Sequence, residues 1–150
     1  MGVLIDGGWH QEENDAKKTN GRYVRPDSQF RHCITADGSS GFPATAGRYH
    51  LYIAVACPWA HRTWIFRTLK RLEAVVSMSI VLPRRTDQGW VFSHDTPQYQ
   101  DTLLGTHALY EIYTLAQPDY TGRVTVPVLW DKQRRTLVNN ESSEIIRMFN

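Results

Sequence analysis

The run Ala56-Cys57-Pro58-Trp59-Ala60-His61-Arg62 constrains this chain more than any other stretch. An apolar, β-prone segment, His50 to Val55, leads into it. After it, Trp64, Ile65, Leu69 and Leu72 share one helical face, while Arg62, Arg67, Lys70 and Arg71 fall mostly on another. The pattern predicts a strand over residues 48–56 and a helix over about 58–72. Proline is favoured at the first helical position, where its missing N–H would be unpaired anyway. Cys57 then sits at the N-cap, with free N–H groups and the positive helix end facing its sulfur. Such a position favours the thiolate, lowering a free-cysteine pKa of about 8.5 into the range of roughly 3.5–7.5. His61 and Arg62, in the first turn, add to that field. The alternative is a buried cysteine serving as a small apolar residue. The agreement of strand, thiol, proline and helix favours the reactive reading.

The chain's 150 residues suffice for one ordinary domain with a real core. A net charge of +2 without a long basic run argues against nucleic acid as the main partner. The first residues lack the basic segment and apolar core of a signal peptide. The longest apolar stretch, Val75 to Leu82, is interrupted by Ser77 and Ser79 and is too short to cross a bilayer. No membrane association is therefore expected. Two cysteines, Cys33 and Cys57, do not make a disulfide framework, so a reducing, cytoplasmic setting is the default expectation.

Residues 1–47 read as an irregular lead-in, rich in Gly, Asp, Asn, Lys and Arg, with Asp37-Gly38-Ser39-Ser40-Gly41 as a turn. Its spaced apolar residues, Val3-Leu4-Ile5, Trp9, Tyr23, Phe30 and Phe42, suggest a segment wrapped over the domain rather than a free tail. Cys33 lies here beside Arg31 and His32, but no helix start accompanies it, so a bystander thiol is the expectation. Val75 to Leu82 reads as a second strand, joined to the first by a right-handed β-α-β crossover. Residues 83–106 form a long polar loop with Trp90 and Phe92, of the kind that often carries function. Leu109, Ile112, Tyr113 and Ala116 predict a short helix stopped near Pro118. A strand over residues 122–130 contains Pro127, which belongs at a strand beginning, an edge or a bend. Leu137-Val138 completes a hairpin. The segment Asn139 to Ser143 then caps a closing helix through Asn140, Ser142 or Ser143. The order is β-α-β-α-β-β-α.

That order, with a cysteine at the first helix start and Val-Pro before a hairpin, resembles the thioredoxin fold. The wording is more specific. Arg48-Tyr49-His50-Leu51-Tyr52, Ala56 to Thr63, Gly122 to Lys132 and Asn140 to Asn150 resemble the glutathionyl-hydroquinone reductases, the Xi class of glutathione transferases. Leu4-Ile5-Asp6-Gly7, Trp9-His10 and Thr35-Ala36-Asp37-Gly38 extend the likeness through the lead-in. The resemblance implies a thioredoxin-like, glutathione-binding domain over residues 48–150 and an N-terminal extension over residues 1–47. It implies glutathione as co-substrate, no metal, and Cys57 as nucleophile, which forms a mixed disulfide with glutathione that a second glutathione resolves. It implies glutathione contacts at Trp90, Arg123, Val126, Glu141 and Ser142. Arg123 would meet one carboxylate, Glu141 and Ser142 would hold the γ-glutamyl group, and the Val126 backbone would pair with the cysteinyl part. Pro58 and a cis Pro127 would support them. Independently, a dithiol Cys-x-x-Cys motif would need a second cysteine at position 60. Ala60 stands there, so an external thiol must finish the cycle.

The family has an all-helical domain after this one, and the expectation is of a chain truncated before it. Two functions then compete. One is glutathione-dependent reduction of glutathionyl-hydroquinones. The other is an isolated glutathione-binding, thiol-transfer domain without conjugate reduction. The resemblance also admits a homodimer of the full-length form. The face that would meet a helical domain is expected to be apolar and to promote self-association.

Overall fold

A computed structural model describes residues 2–11 and 26–150; Tyr23, expected to anchor the lead-in, lies outside the described residues. The main sheet is built on β3 (Tyr49–Ile53), whose five residues are all buried. Helix α1 (Pro58–Leu69) carries the chain over to β4 (Val76–Ile80), which lies parallel to β3 with Leu51 opposite Met78. Helix α2 (Leu109–Ala116) follows the long loop. The short strand β5 (Gly122–Arg123) precedes β6 (Val128–Asp131) and β7 (Thr136–Asn139), and α3 (Ser142–Met148) closes the order. The sheet order is β4-β3-β6-β7, with β6 antiparallel to β3 and Leu129 opposite Leu51. Leu51, Ile53, Leu129 and Leu137 from the strands meet Ile112 and Tyr113 from α2 and Ile145 from α3 in the core. The four-stranded sheet and its helices follow the β-α-β-α-β-β-α order expected from the pattern, with β5 outside that sheet.

Three departures have physical causes. First, the strand expected over residues 122–130 is two strands. The Val126–Pro127 bond between them is cis, and Pro127 offers no N–H to a ladder. Second, the lead-in is not irregular throughout. Strands β1 (Gly2–Ile5) and β2 (Gly8–Gln11) form an antiparallel hairpin, and β1 also pairs with β5. Its two turn residues, Asp6 and Gly7, have φ of 48° and 76°, the conformation that Asp-Gly readily adopts. Leu4 is fully buried, and Trp9 stacks on Tyr110 at 5.0 Å and donates to the Asp87 carbonyl at 3.0 Å. Third, the packed face of α1 carries Ala60, Thr63 and Arg67, while Ile65 and Leu69 are 44% and 71% exposed. Arg67 is buried because its guanidinium donates to the Val76 carbonyl at 2.6 Å and the Glu73 carbonyl at 3.2 Å, tying α1 to the start of β4. The helix stops before residue 72 because Arg71 takes a positive φ of 55° and the Leu72 N–H closes back on the Arg67 carbonyl at 2.9 Å.

Residues 26–47 make several contacts with the rest of the chain. Phe30 stacks on Tyr120 at 5.4 Å, the His32 N–H donates to the Val138 carbonyl at 2.9 Å, and Arg31 pairs with Glu144. The loop after β4 is held by Asp101, whose buried carboxylate accepts N–H donors from Leu103, Leu104 and Thr106 and the Tyr52 hydroxyl.

Candidate functional site

Cys57 is the N-cap of α1, with extended φ and ψ of −103° and 113°, and Pro58 opens the helix. Its N–H donates to the Ala54 carbonyl at 3.1 Å, and its own carbonyl accepts from His61 at 2.9 Å. The thiol makes no cap bond to the helix. It faces across to the Val126 carbonyl, with the sulfur 3.8 Å from that oxygen. The strand-to-helix junction presents the sulfur from one side and the bend before Pro127 presents the Val126 backbone from the other.

These two elements are walls of one cleft of about 640 Å³. Cys57, Pro58 and Trp59 line it from the N-cap and first turn of α1, and Arg123 to Val126 from the end of β5 and its connection to β6. Arg84, Arg85 and Trp90 line it from the loop after β4. The structure thus brings together Cys57, Trp90, Arg123 and Val126. Three of the described lining residues are arginines and none is acidic, so the cleft favours an anionic ligand. The Arg85 guanidinium lies over the Trp90 ring, 5.4 Å from its centroid. The sequence reading missed Arg84 and Arg85. The signal was present: a basic doublet directly after a parallel strand, where open α/β sheets place their ligands.

Glu141 and Ser142 stand apart from that lining, at the start of α3. Glu141, rather than Asn140, Ser142 or Ser143, is the N-cap; its carboxylate accepts from the Ser143 N–H at 3.2 Å. It also accepts from the Ser28 hydroxyl at 3.2 Å. Asn140 is drawn away from capping because its side-chain amide donates to the Tyr113 hydroxyl at 3.1 Å. Ser142 is only 3% exposed. Its hydroxyl oxygen accepts from Arg62 Nε at 2.9 Å and Nη2 at 2.6 Å. Arg62, expected to act on Cys57, is therefore committed to α3, with Nη2 3.7 Å from Glu141 Oε1. Its guanidinium also lies over the Trp59 ring at 5.1 Å. His61 packs edge-on against Trp64 at 6.1 Å, beside a shallow groove shared with Ile65, Thr68 and Leu69. Cys33 is an exposed free thiol on the lead-in, and Cys57 is also unbridged. Among the described residues, no group of three or more His, Cys, Asp or Glu side chains is placed to hold a metal ion. No helix in them is long and apolar enough to cross a membrane.

Residues 56–150 match the family model for the glutathione S-transferase N-terminal domain. The chain belongs to the glutathione S-transferase family. It is 52% identical over 157 residues to the glutathionyl-hydroquinone reductase YqjG of Escherichia coli, covering all of this chain and 48% of that protein. It is 49% identical over 150 residues to the glutathionyl-hydroquinone reductase PcpF of Sphingobium chlorophenolicum, covering 47% of it. The chain thus spans about half the length of these curated relatives. Among solved structures, the glutathione-bound structure of YqjG superposes with a TM-score of 0.84 at 48% identity, over 99% of this chain and 45% of that one. An Xi-class glutathione transferase from Natrialba magadii gives 0.85 at 44% identity, over 99% of this chain and 44% of that one. The family's N-terminal fold and the resemblance to the Xi class are therefore those read from the motifs.

Proposed function

We propose that this chain is the glutathione-binding half of a glutathione-dependent oxidoreductase that reduces glutathionyl-hydroquinones to hydroquinones. The observation that carries the reading is the Cys57 sulfur facing the Val126 carbonyl at 3.8 Å in a cleft with three arginines and no described acid. The naming of both curated relatives as glutathionyl-hydroquinone reductases supports the substrate class, and the glutathione-bound YqjG structure supports the co-substrate. Residues 48–150 are the glutathione-binding domain in this reading, and residues 1–47 are an extension bound to its surface.

The Cys57 thiolate attacks the glutathionyl sulfur of the conjugate. The bond between that sulfur and the ring carbon breaks, and its electron pair stays with the ring, which takes up a proton. Sulfur is oxidised to a Cys57–glutathione disulfide and the ring is reduced to the hydroquinone. A second glutathione thiolate attacks the glutathionyl sulfur of that disulfide, releasing oxidised glutathione and the Cys57 thiolate. The cysteinyl backbone of glutathione pairs with Val126 like an added strand. Arg123 takes a carboxylate, Trp90 forms the wall beside it, and Glu141 with Ser142 holds the γ-glutamyl group. Pro58 and Pro127 shape the two backbones that meet at the sulfur.

Intact mass after mixing with a glutathionyl-hydroquinone tests the first step. The parent chain and Cys33→Ser are expected to gain one glutathionyl group, and Cys57→Ser none. An adduct that survives Cys57→Ser and disappears in Cys33→Ser would overturn the assignment of the nucleophile. No adduct on the folded parent chain would leave glutathione binding without the chemistry.

A further inference from the structure

Arg62 stands five residues beyond Cys57, on the same helix, yet its side chain serves the other end of the site. Three neighbours hold it: the Trp59 ring at 5.1 Å, Glu141 at 3.7 Å, and the Ser142 hydroxyl at 2.9 and 2.6 Å. Trp59 lines the cleft that holds Cys57, so this guanidinium connects the cleft wall to the Glu141–Ser142 pair. The contact with Ser142 has a chemical consequence. A serine hydroxyl has two acceptor positions and one proton. Arg62 Nε and Nη2 both donate to that one oxygen, from the same side. Arginine donates only, so the serine proton must point elsewhere. Ser142 is 3% exposed, and its proton has no acceptor among the described residues. A hydroxyl polarised by an adjacent guanidinium, with its proton left over, is a donor prepared for an anion.

We infer that Arg62 is a positioning residue for the γ-glutamyl end of glutathione: it orients the Ser142 hydroxyl to donate to the α-carboxylate of that group. The inference rests on the glutathione reading above and adds to it a residue outside the cleft. It couples the helix bearing the nucleophile to the helix bearing the carboxylate donor. Lysine cannot replace it fully, because a point charge lacks the rigid planar fork that fixes the direction from which the hydroxyl oxygen is held.

The test uses two reduced peptides, glutathione and γ-aminobutyryl-cysteinylglycine, which is glutathione without that one carboxylate. Affinities are measured by calorimetry on the full chain, with circular dichroism to establish that each variant is folded. The parent is expected to prefer glutathione. Arg62→Gln should weaken glutathione by about tenfold or more, the usual scale for losing a hydrogen bond to a charged group. It should leave the decarboxylated peptide within about twofold, so that the preference is lost. Ser142→Ala should remove the same preference, and adding Arg62→Gln to it should cost nothing further. Arg62→Lys should restore only part. Equal weakening of both peptides by Arg62→Gln, or a preference retained in Ser142→Ala, would overturn the inference while leaving glutathione binding intact. If Arg62→Gln does not fold, Arg62→Lys decides the matter: a preference for glutathione equal to the parent's would overturn the inference. A folded parent that binds neither peptide would overturn the glutathione reading itself, and this inference with it.

Discussion

Asp131 shows what one residue contributes here. It is fully buried at the end of β6, and its carboxylate accepts from Arg48 Nε at 3.0 Å and from the N–H groups of Gln133 at 2.9 Å and Arg134 at 3.2 Å. Burial pushes its pKa up, but the Arg48 guanidinium and the two backbone donors outweigh that and hold it below the ordinary carboxylate value. A pair of this kind is weak as a source of net stability and costly to break, because the surviving charge stays buried. Asp131→Asn is expected to lower the free energy of unfolding at pH 7 by about 3 kcal/mol in urea titrations. The sign of the pH dependence follows from the depressed folded pKa. The contribution is present above the unfolded value of about 3.9 and is lost as pH falls through the folded one. The gap between the variant and the parent should therefore narrow below about pH 4. A gap that stays constant down to pH 2 would sink this account.

At the scale of elements, β3 is the strand that delivers the chain to Cys57, and it carries a histidine in its buried run. His50 is 1% exposed, with Nδ1 at 2.7 Å from the Ser77 hydroxyl and Nε2 at 3.0 Å from that of Ser79. The two serines stand on β4 and bind β3 to β4 through side chains as well as backbone. Burial holds the imidazole pKa down to about 4, against the pull of Asp101 and with the push of Lys132 and Arg67. A folded pKa below the unfolded value of about 6.5 means that stability is complete above pH 6.5. It declines as pH falls from there toward 4, by about 3 kcal/mol over that interval. His50→Gln should flatten this slope while lowering stability at pH 7, measured by urea unfolding at a series of pH values. A variant with the parent's slope would show that other groups titrate in this window. The same element-level logic explains α1. Its position was legible from Pro58 and the apolar spacing, but the face it packs was not. Arg67 can be buried only because two backbone carbonyls at the α1–β4 turn receive it, and no sequence spacing reports those acceptors.

For the whole molecule, the outward stripe of α1 matters most. Ile65 and Leu69 are 44% and 71% exposed, beside a shallow groove shared with His61, Trp64 and Thr68, an apolar surface on one face of a twelve-residue helix. The 150-residue chain is expected to self-associate as concentration rises, seen as a growing mass in sedimentation. Ile65→Ser with Leu69→Ser should reduce that growth and leave the melting temperature nearly unchanged, since neither side chain is buried. Identical sedimentation of parent and double variant would assign the association to another surface.

The chain by itself determined the order of elements, the place of Cys57 at a helix start and the family, because these depend on local periodicity, proline chemistry and contiguous motifs. The hairpin over residues 2–11, read from the sequence as part of an irregular lead-in, and its pairing with β5 emerged only in the structure. Tertiary structure alone decided what depends on partners far apart in sequence. It placed Arg62 against Ser142, 80 residues away, rather than against Cys57. It set the Val126 carbonyl across from a sulfur 69 residues earlier and gathered Arg84, Arg85 and Arg123 around one cleft. A charged side chain goes where its donors are satisfied, and in a folded chain those acceptors come from whichever elements the sheet and its crossovers bring alongside.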